Sequence, residues 1–429
     1  MEKIVSPGFL SGTLRMLPSK SASHRAVMMA AMAQGKTLLE PLQLSQDISA
    51  TLSCAEALGL TGGAAIAPTD TEGFVRVEIH GGGMAENRTL RVLDCGESGS
   101  TLRFFIPLAL DGRGAVRFEG HGRLMQRPLS VYEDMFKARG ILWRHEGDSL
   151  TVDGRLESGR YSMPGDVSSQ FITGMLLALP RLAGDSVLEI TTPLESRAYV
   201  ELTRRIQADY HVISEWDEKK QSLLIPGGQR AVSPGRMHIG GDWSHAAFYL
   251  VAGAIGQGEI RLTGLDPDSA QGDRALVGIL RNMGADIRWE GEELVVRASK
   301  LHGLHADCSQ IPDVVPALAV AMAAADGESR ISGAARLRIK ESDRLSAMCA
   351  ALSAAGACVC ETEDGLLIRG GKRLHAAKID GCNDHRIVMA MAVASAVSDG
   401  GLTITDAEAT AKSAPAFWNE FASLGGQAR

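Results

Sequence analysis

The 429-residue sequence predicts an α/β protein of six similar units arranged in two halves, and three observations carry that expectation. A nearly uncharged apolar stretch of helical length recurs six times. Each stretch reaches a glycine (35, 114, 184, 258, 327 and 400), with successive glycines about 70 to 80 residues apart, and then a short alternating strand. Between these segments, amphipathic stretches end near glycine, which supplies the left-handed turn of a helix end, and several run on into strand pairs with polar turns.

In chain order the apolar helices read RAVMMAAMA (25–33), RFFIPLAL (103–110), FITGMLLAL (171–179), AAFYLVAGAI (246–255), VPALAVAMAAA (315–325) and RIVMAMAVASAV (386–397). Helices apolar on every side belong in a core. The strands that follow them read TLLEPL, AVRFEG, SVLEIT, EIRLTG, SRISG and LTITD. The second, amphipathic helices end at ALGL, KARGI, RNMGADI, AAGACV and SLGG, with RIQADYHV as a variant in which Asp stands for the glycine. Four of them lead into hairpins: ILWRHEGDSLTV, VISEWDEKKQSLLI, DIRWEGEELVV and CVCETEDGLLI. Each unit is therefore strand, buried helix, strand, surface helix and paired strands. The stretch PGGQRAVSPGRMHIGGD (226–242), richest in Gly and Pro, divides the six units into two halves of three, the alternative being one continuous solenoid.

With 45% hydrophobic residues the chain can bury a large core, and its formal charge of −7 gives it no global basic field for nucleic acid or an anionic membrane. Anion binding must then be local. The opening MEKIVSPGFLSG lacks a charged lead followed by an apolar core, and no uncharged run is long enough to span a bilayer, so a cytoplasmic location is expected. Seven cysteines without a CxxC pair argue against a disulfide framework and against zinc, and Cys358 and Cys360 fit a strand. No His/Cys/Asp grouping has metal spacing, and no Walker A pattern appears. A ring that encircles DNA needs basic residues along exposed helix faces, whereas here the cations collect at the helix entrances. These are Lys20, Arg25, Arg103, His385 and Arg386, with Ser21, Ser100, Ser168 and Ser169 beside them. Free N–H groups and the positive end of the helix dipole favour an anion at such positions, although serines there also serve as plain N-caps.

The stretches PSKSASHR (18–25), GESGSTLR (96–103), MQRP (125–128), GDVSSQF (165–171), GDWSHAAF (241–248), IPD (311–313), IKESDR (339–344), NDHR (383–386) and TAKSAP (410–415) together resemble, in order and over the full length, the signatures of the 5-enolpyruvylshikimate-3-phosphate synthase family. The resemblance implies a two-domain inside-out α/β barrel of six βαβαββ repeats with buried helices. It implies a first domain over 21–235 and a second over 1–20 plus 242–429, with crossover strands near 15–20 and 236–242. It also implies transfer of the enolpyruvyl group of phosphoenolpyruvate to the 5-hydroxyl of shikimate-3-phosphate on the route to chorismate, with these two small molecules as partners, no cofactor, no nucleic acid or membrane partner, and a monomeric state.

By the same resemblance, shikimate-3-phosphate would contact Lys20, Ser21, Arg25, Ser168, Ser169, Gln170, Ser196, Tyr199, Asp313 and Lys340, with Arg336, where many relatives carry Asn, as a further phosphate contact. Phosphoenolpyruvate would meet Lys20, Gly99, Arg127, Gln170, Arg344, Arg386 and Lys412. Asp313 is expected as base near the 5-hydroxyl, Glu341 as acid and base at the methylene carbon, and Lys20 as charge stabiliser and proton donor. Neither half holds the whole set, so catalysis is expected to need closure. The family loop usually reads GNAGTAxR; in this chain Glu97 stands where that Asn would be, beside an anion site, and Ser100 also departs. The UDP-N-acetylglucosamine enolpyruvyl transferase, of the same fold, is the alternative. It commonly uses a cysteine on a mobile loop, for which Cys95 is a weak candidate, while KSASHR and SSQ point to shikimate-3-phosphate.

Overall fold

A computed structural model describes residues 1–82 and 91–429, and the chain divides into two compact units: Lys20–Ile239, and Met1–Ser19 joined with Gly240–Arg429. In the Lys20–Ile239 unit the helices Lys20–Met32, Gly99–Ala109 and Ser169–Ala178 are buried along nearly their whole length, as expected of helices that carry apolar residues on every side. Their entrances are made by side-chain caps where the sequence offers serine. Ser98 accepts from the Thr101 amide at 3.1 Å and Ser168 from that of Gln170 at 3.3 Å.

Three four-stranded sheets surround these helices, and one strand order recurs. Arg91–Asp94 lies parallel to Val116–Glu119, which pairs antiparallel with Ser149–Asp153 and through it with Leu142–Glu146. Val116, Phe118, Leu150 and Val152 point inward and are fully buried, while the alternate residues of these strands face out. The sheet of Arg160–Met163, Ser186–Ile190, Ser222–Ile225 and Glu215–Asp217 repeats the pattern. In the remaining sheet the parallel partner of Gly35–Leu42 is Arg236–His238, from the far end of the unit. Its hairpin, Thr61–Pro68 with Val75–Gly81, is not foreshadowed in the sequence, because the Gly- and Ala-rich TGGAAIAP carries little strand propensity and is held by its partner.

The other unit is built alike. Helices Trp243–Ile255, Val315–Ala324 and His385–Ala394 pack against one another in all three pairings. Gly12–Arg15, from the start of the chain, lies parallel to Glu259–Thr263 and completes that sheet. The sixth sheet has three strands, since Ala377–Ile379 and Leu402–Ile404 receive Lys3–Val5 where the other sheets have a hairpin. Residues 427–429 extend it further through Ser6 N–H to Gln427 O at 2.9 Å and paired bonds between Ile4 and Arg429.

All four hairpins read from the sequence form, and Cys358–Glu361 is a strand with both cysteines on its exposed side. The outer helix Gln46–Ala57 ends in Gly59 at φ 74°, a left-handed residue. One expectation is corrected. After Arg197–Asp209 the left-handed residue is His211, at φ 62°, while Asp209 stays in the helix. Only the backbone trace decides which of several polar residues takes the strained position.

Candidate active site

In the Lys20–Ile239 unit the helix entrances carry buried cations. Arg25, one turn into its helix, is 3% exposed. Its Nε donates to Thr203 Oγ1 at 2.7 Å, Nη1 to the Ser21 carbonyl at 2.7 Å, and Nη2 to Thr173 Oγ1 and the Tyr199 carbonyl, both at 3.2 Å. None of these four acceptors is a carboxylate, and burial pushes the guanidinium down to about 10. The Tyr199 ring lies 5.9 Å from it. Lys20, first residue of that helix, is paired with Asp47 at 3.0 Å. Ser196 is buried in a left-handed conformation at φ 53°, just ahead of helix Arg197–Asp209.

Gly99 opens the next central helix between two arginines. A Cβ on Gly99 would stand 2.7 Å from Arg127 Nη1 and 2.8 Å from Arg103 Nη1, so any larger residue would displace the guanidinium groups from where they now lie. Arg103 donates to Gln170 Oε1 at 2.7 Å and to the Pro128 carbonyl at 3.1 Å, and Gln170 Nε2 donates to Ser100 Oγ at 3.0 Å. Gly99, Arg127, Ser100 and Gln170 thus converge, with Ser168 and Ser169 opening the Gln170 helix. Glu97 lies against the loop at Gly122, where an added Cβ would meet its carboxylate at 2.6 Å.

In the second unit, the cluster centres on Asp313, in the short 3-10 turn Pro312–Val314. Arg344 Nη1 lies 3.1 Å, and Lys340 Nζ 3.8 Å, from its Oδ1; Arg386 Nη2 lies 3.4 Å from its Oδ2 and Nη1 donates to its carbonyl at 2.7 Å. Arg344, 1% exposed, also donates to Glu341 Oε2 and Asp384 Oδ2, each at 2.8 Å. Lys412 donates to the Asn383 carbonyl at 2.7 Å, and Arg336 to that of Ser309.

Burial alone would raise the Asp313 carboxyl, but Arg386, Lys340 and Arg344 hold it well below the usual carboxylate range. Asp273, buried and bonded by the Ser244 hydroxyl, moves the other way: burial first and then the Asp313 charge push it up to about 6, with Arg386 opposing. Of the two, Asp273 is the one that takes up a proton first as pH falls. Burial pushes Lys340 down to about 8 against the pull of Asp313 and Glu341. Burial would lower Arg344 too, but Asp384, Glu341 and Asp313 together outweigh it and keep the guanidinium above its ordinary range.

The chain matches the family model described as EPSP synthase (3-phosphoshikimate 1-carboxyvinyltransferase) over residues 4–421. The chain belongs to this family. It is 42% identical to the 3-phosphoshikimate 1-carboxyvinyltransferase of Clostridium novyi (strain NT), over 99% of this chain and 98% of the relative, and 41% identical to that of Clostridium kluyveri, over 99% and 97%. Among solved structures it resembles EPSP synthase from Acinetobacter baumannii with a TM-score of 0.78 at 25% identity, covering 100% of this chain and 99% of that one. The enolpyruvyl transferase NikO from Streptomyces tendae, 18% identical, matches in fold with a TM-score of 0.78, over 100% and 98%. The inside-out α/β fold is thereby established, and the chain is an EPSP synthase-family enzyme that transfers enolpyruvyl to shikimate-3-phosphate in aromatic biosynthesis.

Several residues of these clusters were not singled out as site residues in the sequence. Asp384 caps helix His385–Ala394 through the Arg386 amide at 2.9 Å and at the same time receives Arg344 and the Ser342 hydroxyl. Its place in NDHR was a signal, since an aspartate before a helix entrance is an ordinary cap until a distant arginine is found on it. Arg103, which the sequence offered only as a cation at a helix entrance, sits one turn after Gly99, the spacing that puts both on one helix face. Asp47, Thr173, Thr203 and Asp273 come from segments with no signature.

Proposed function

We propose that the two clusters divide the work of one enolpyruvyl transfer. In the Lys20–Ile239 unit, Lys20, Ser21, Arg25, Ser168, Ser169, Gln170, Ser196 and Tyr199 receive shikimate-3-phosphate, and Lys20, Gly99, Arg127 and Gln170 receive phosphoenolpyruvate. From the second unit Asp313, Arg336 and Lys340 serve shikimate-3-phosphate, and Arg344, Arg386 and Lys412 serve phosphoenolpyruvate. The observation that carries this reading is Arg25, a buried cation bonded, among the described residues, only to neutral oxygens and therefore short of an anion. Gly99 set between two guanidinium groups gives it a second support, because planar arginine forks suit a ligand bearing both phosphate and carboxylate.

The chemistry adds a proton to the methylene carbon of phosphoenolpyruvate while the 5-hydroxyl oxygen, losing its proton, bonds to the adjacent carbon. Phosphate then leaves as the methyl carbon gives a proton back. Asp313 takes the hydroxyl proton, Glu341 serves the methylene carbon, and Lys20 stabilises the charge that develops. Asp313 is a weak base while three cations surround it. Phosphoenolpyruvate competes for Arg344 and Arg386, and every cation drawn to the substrate raises the basicity of Asp313. The reading includes a monomer in the cytoplasm that needs no cofactor and binds small phosphorylated anions rather than nucleic acid. The testing experiment is phosphate release from phosphoenolpyruvate with each acceptor in turn. Release with shikimate-3-phosphate and none with UDP-N-acetylglucosamine is expected; the reverse would overturn the acceptor.

A further inference from the structure

Within the apolar core of the Lys20–Ile239 unit runs a chain of four buried polar side chains. His24, on helix Lys20–Met32, places Nδ1 2.7 Å from Thr51 Oγ1 on helix Gln46–Ala57. Thr51 Oγ1 lies 2.7 Å from Thr101 Oγ1, and Thr101 Oγ1 lies 2.7 Å from Ser98 Oγ, the cap of helix Gly99–Ala109. All four residues are at most 1% exposed. The other ring nitrogen, His24 Nε2, is buried and has no hydrogen-bond partner among the described residues, and the imidazole stands nearly perpendicular to the Phe104 ring, with centroids 6.3 Å apart.

That asymmetry assigns the tautomer. Burial, then Lys20 and Arg25, hold the imidazole neutral, so it carries one N–H. A proton on Nε2 would be a buried donor with no oxygen or nitrogen among the described residues to accept it, whereas on Nδ1 it meets Thr51. Thr51 then accepts from His24 and keeps its own proton for the Asp47 carbonyl at 3.1 Å or the Thr101 hydroxyl at 2.7 Å. Thr101 donates in turn to Ser98, whose oxygen also receives the Thr101 amide. The imidazole is thus joined by an unbroken line of hydrogen-bonded hydroxyls to the cap, one residue before Gly99. At Gly99 the two guanidinium groups crowd the space of a single methyl, so a shift of the helix entrance is felt by both. A displacement of under 1 Å at such a point is enough to degrade a site.

We propose that His24, in its Nδ1–H form, is a positioning residue for phosphoenolpyruvate, acting through Thr51, Thr101 and Ser98 on the helix entrance at Gly99. The inference rests on the assignment of Gly99 and Arg127 to phosphoenolpyruvate. It is tested on the full-length enzyme with His24→Leu, Thr51→Val and His24→Asn, the last keeping a donor close to the Nδ1 position. His24→Leu and Thr51→Val should raise KM for phosphoenolpyruvate five- to thirtyfold with KM for shikimate-3-phosphate within twofold, and His24→Asn should return it to within threefold. Nitrogen NMR of the wild-type enzyme with labelled histidine should find the proton of His24 on Nδ1, a result that does not depend on any variant folding. Equal changes in both KM values, a loss of thermal stability with both KM values unchanged, or a proton on Nε2 would overturn the proposal. Arg127→Ala separates the two layers. If Arg127→Ala raises KM for phosphoenolpyruvate and His24→Leu does not, the hydroxyl chain is rejected alone; if neither does, the site assignment fails and the proposal with it.

Discussion

Gly99 and Lys340 show how much a single residue decides here. Replacing Gly99 by Ala inserts a methyl 2.7 Å from Arg127 Nη1, closer than real side chains approach, so the guanidinium must retreat. Gly99→Ala should raise KM for phosphoenolpyruvate about tenfold, the scale of 1.4 kcal/mol, and leave that for shikimate-3-phosphate near its starting value. Steady-state kinetics with each substrate varied would reject this if the two constants moved together. Lys340 is pushed by burial to about 8, so it sheds its charge at mildly alkaline pH. Affinity for shikimate-3-phosphate should therefore fall as pH rises from 7 to 9. In Lys340→Arg, whose guanidinium stays charged, that alkaline loss should flatten even though absolute affinity drops. An unchanged alkaline profile in the variant would show that another group titrates.

At the scale of elements, the entrances of the second unit store charge in a core of apolar helices. Asp273, in the 3-10 turn Gly272–Ala275, faces Ser244 on helix Trp243–Ile255, with Asp242, Asp313 and Arg386 around it. Its carboxyl titrates near 6 in the folded protein and at about 3.9 unfolded, so the folded state binds more protons between those values. Stability from this group is complete below pH 4 and is lost as pH rises through 6. Asp273→Asn cannot ionise, so relative to wild type it should gain about 2 kcal/mol in urea unfolding between pH 4 and pH 7. Parallel pH profiles for the two proteins would remove Asp273 from this role. The apolar helices were legible because all-round hydrophobicity has one solution, burial. Their polar linkages were not, since Thr51, Thr101 and His24 look like unremarkable members of three separate segments until folding brings their side chains to 2.7 Å.

At the scale of the whole molecule, the chain passes between its units twice, at 19/20 and at 239/240, and each passage leaves a strand that completes a sheet begun elsewhere. Lys3–Val5 does the same for the sixth sheet, with Val5 fully buried. Removing residues 1–6 should lower the melting temperature by about 5 °C, since losing one buried valine and its pairing costs roughly 2 kcal/mol in a unit of this size. A melting temperature unchanged by the deletion would mean that the sheet edge is dispensable. The sequence by itself determined the six units, their buried helices, four hairpins and the family, because these follow from hydrophobic period, turn residues and ordered motifs, all of them local. Tertiary structure alone decided that His211 takes the turn, that Lys3–Val5 fills the place of a hairpin in the sixth sheet, and that Asp384 and Asp273 join the clusters. Those depend on which side chains meet across hundreds of residues, and on the charge and burial each meeting creates, neither of which any local pattern encodes.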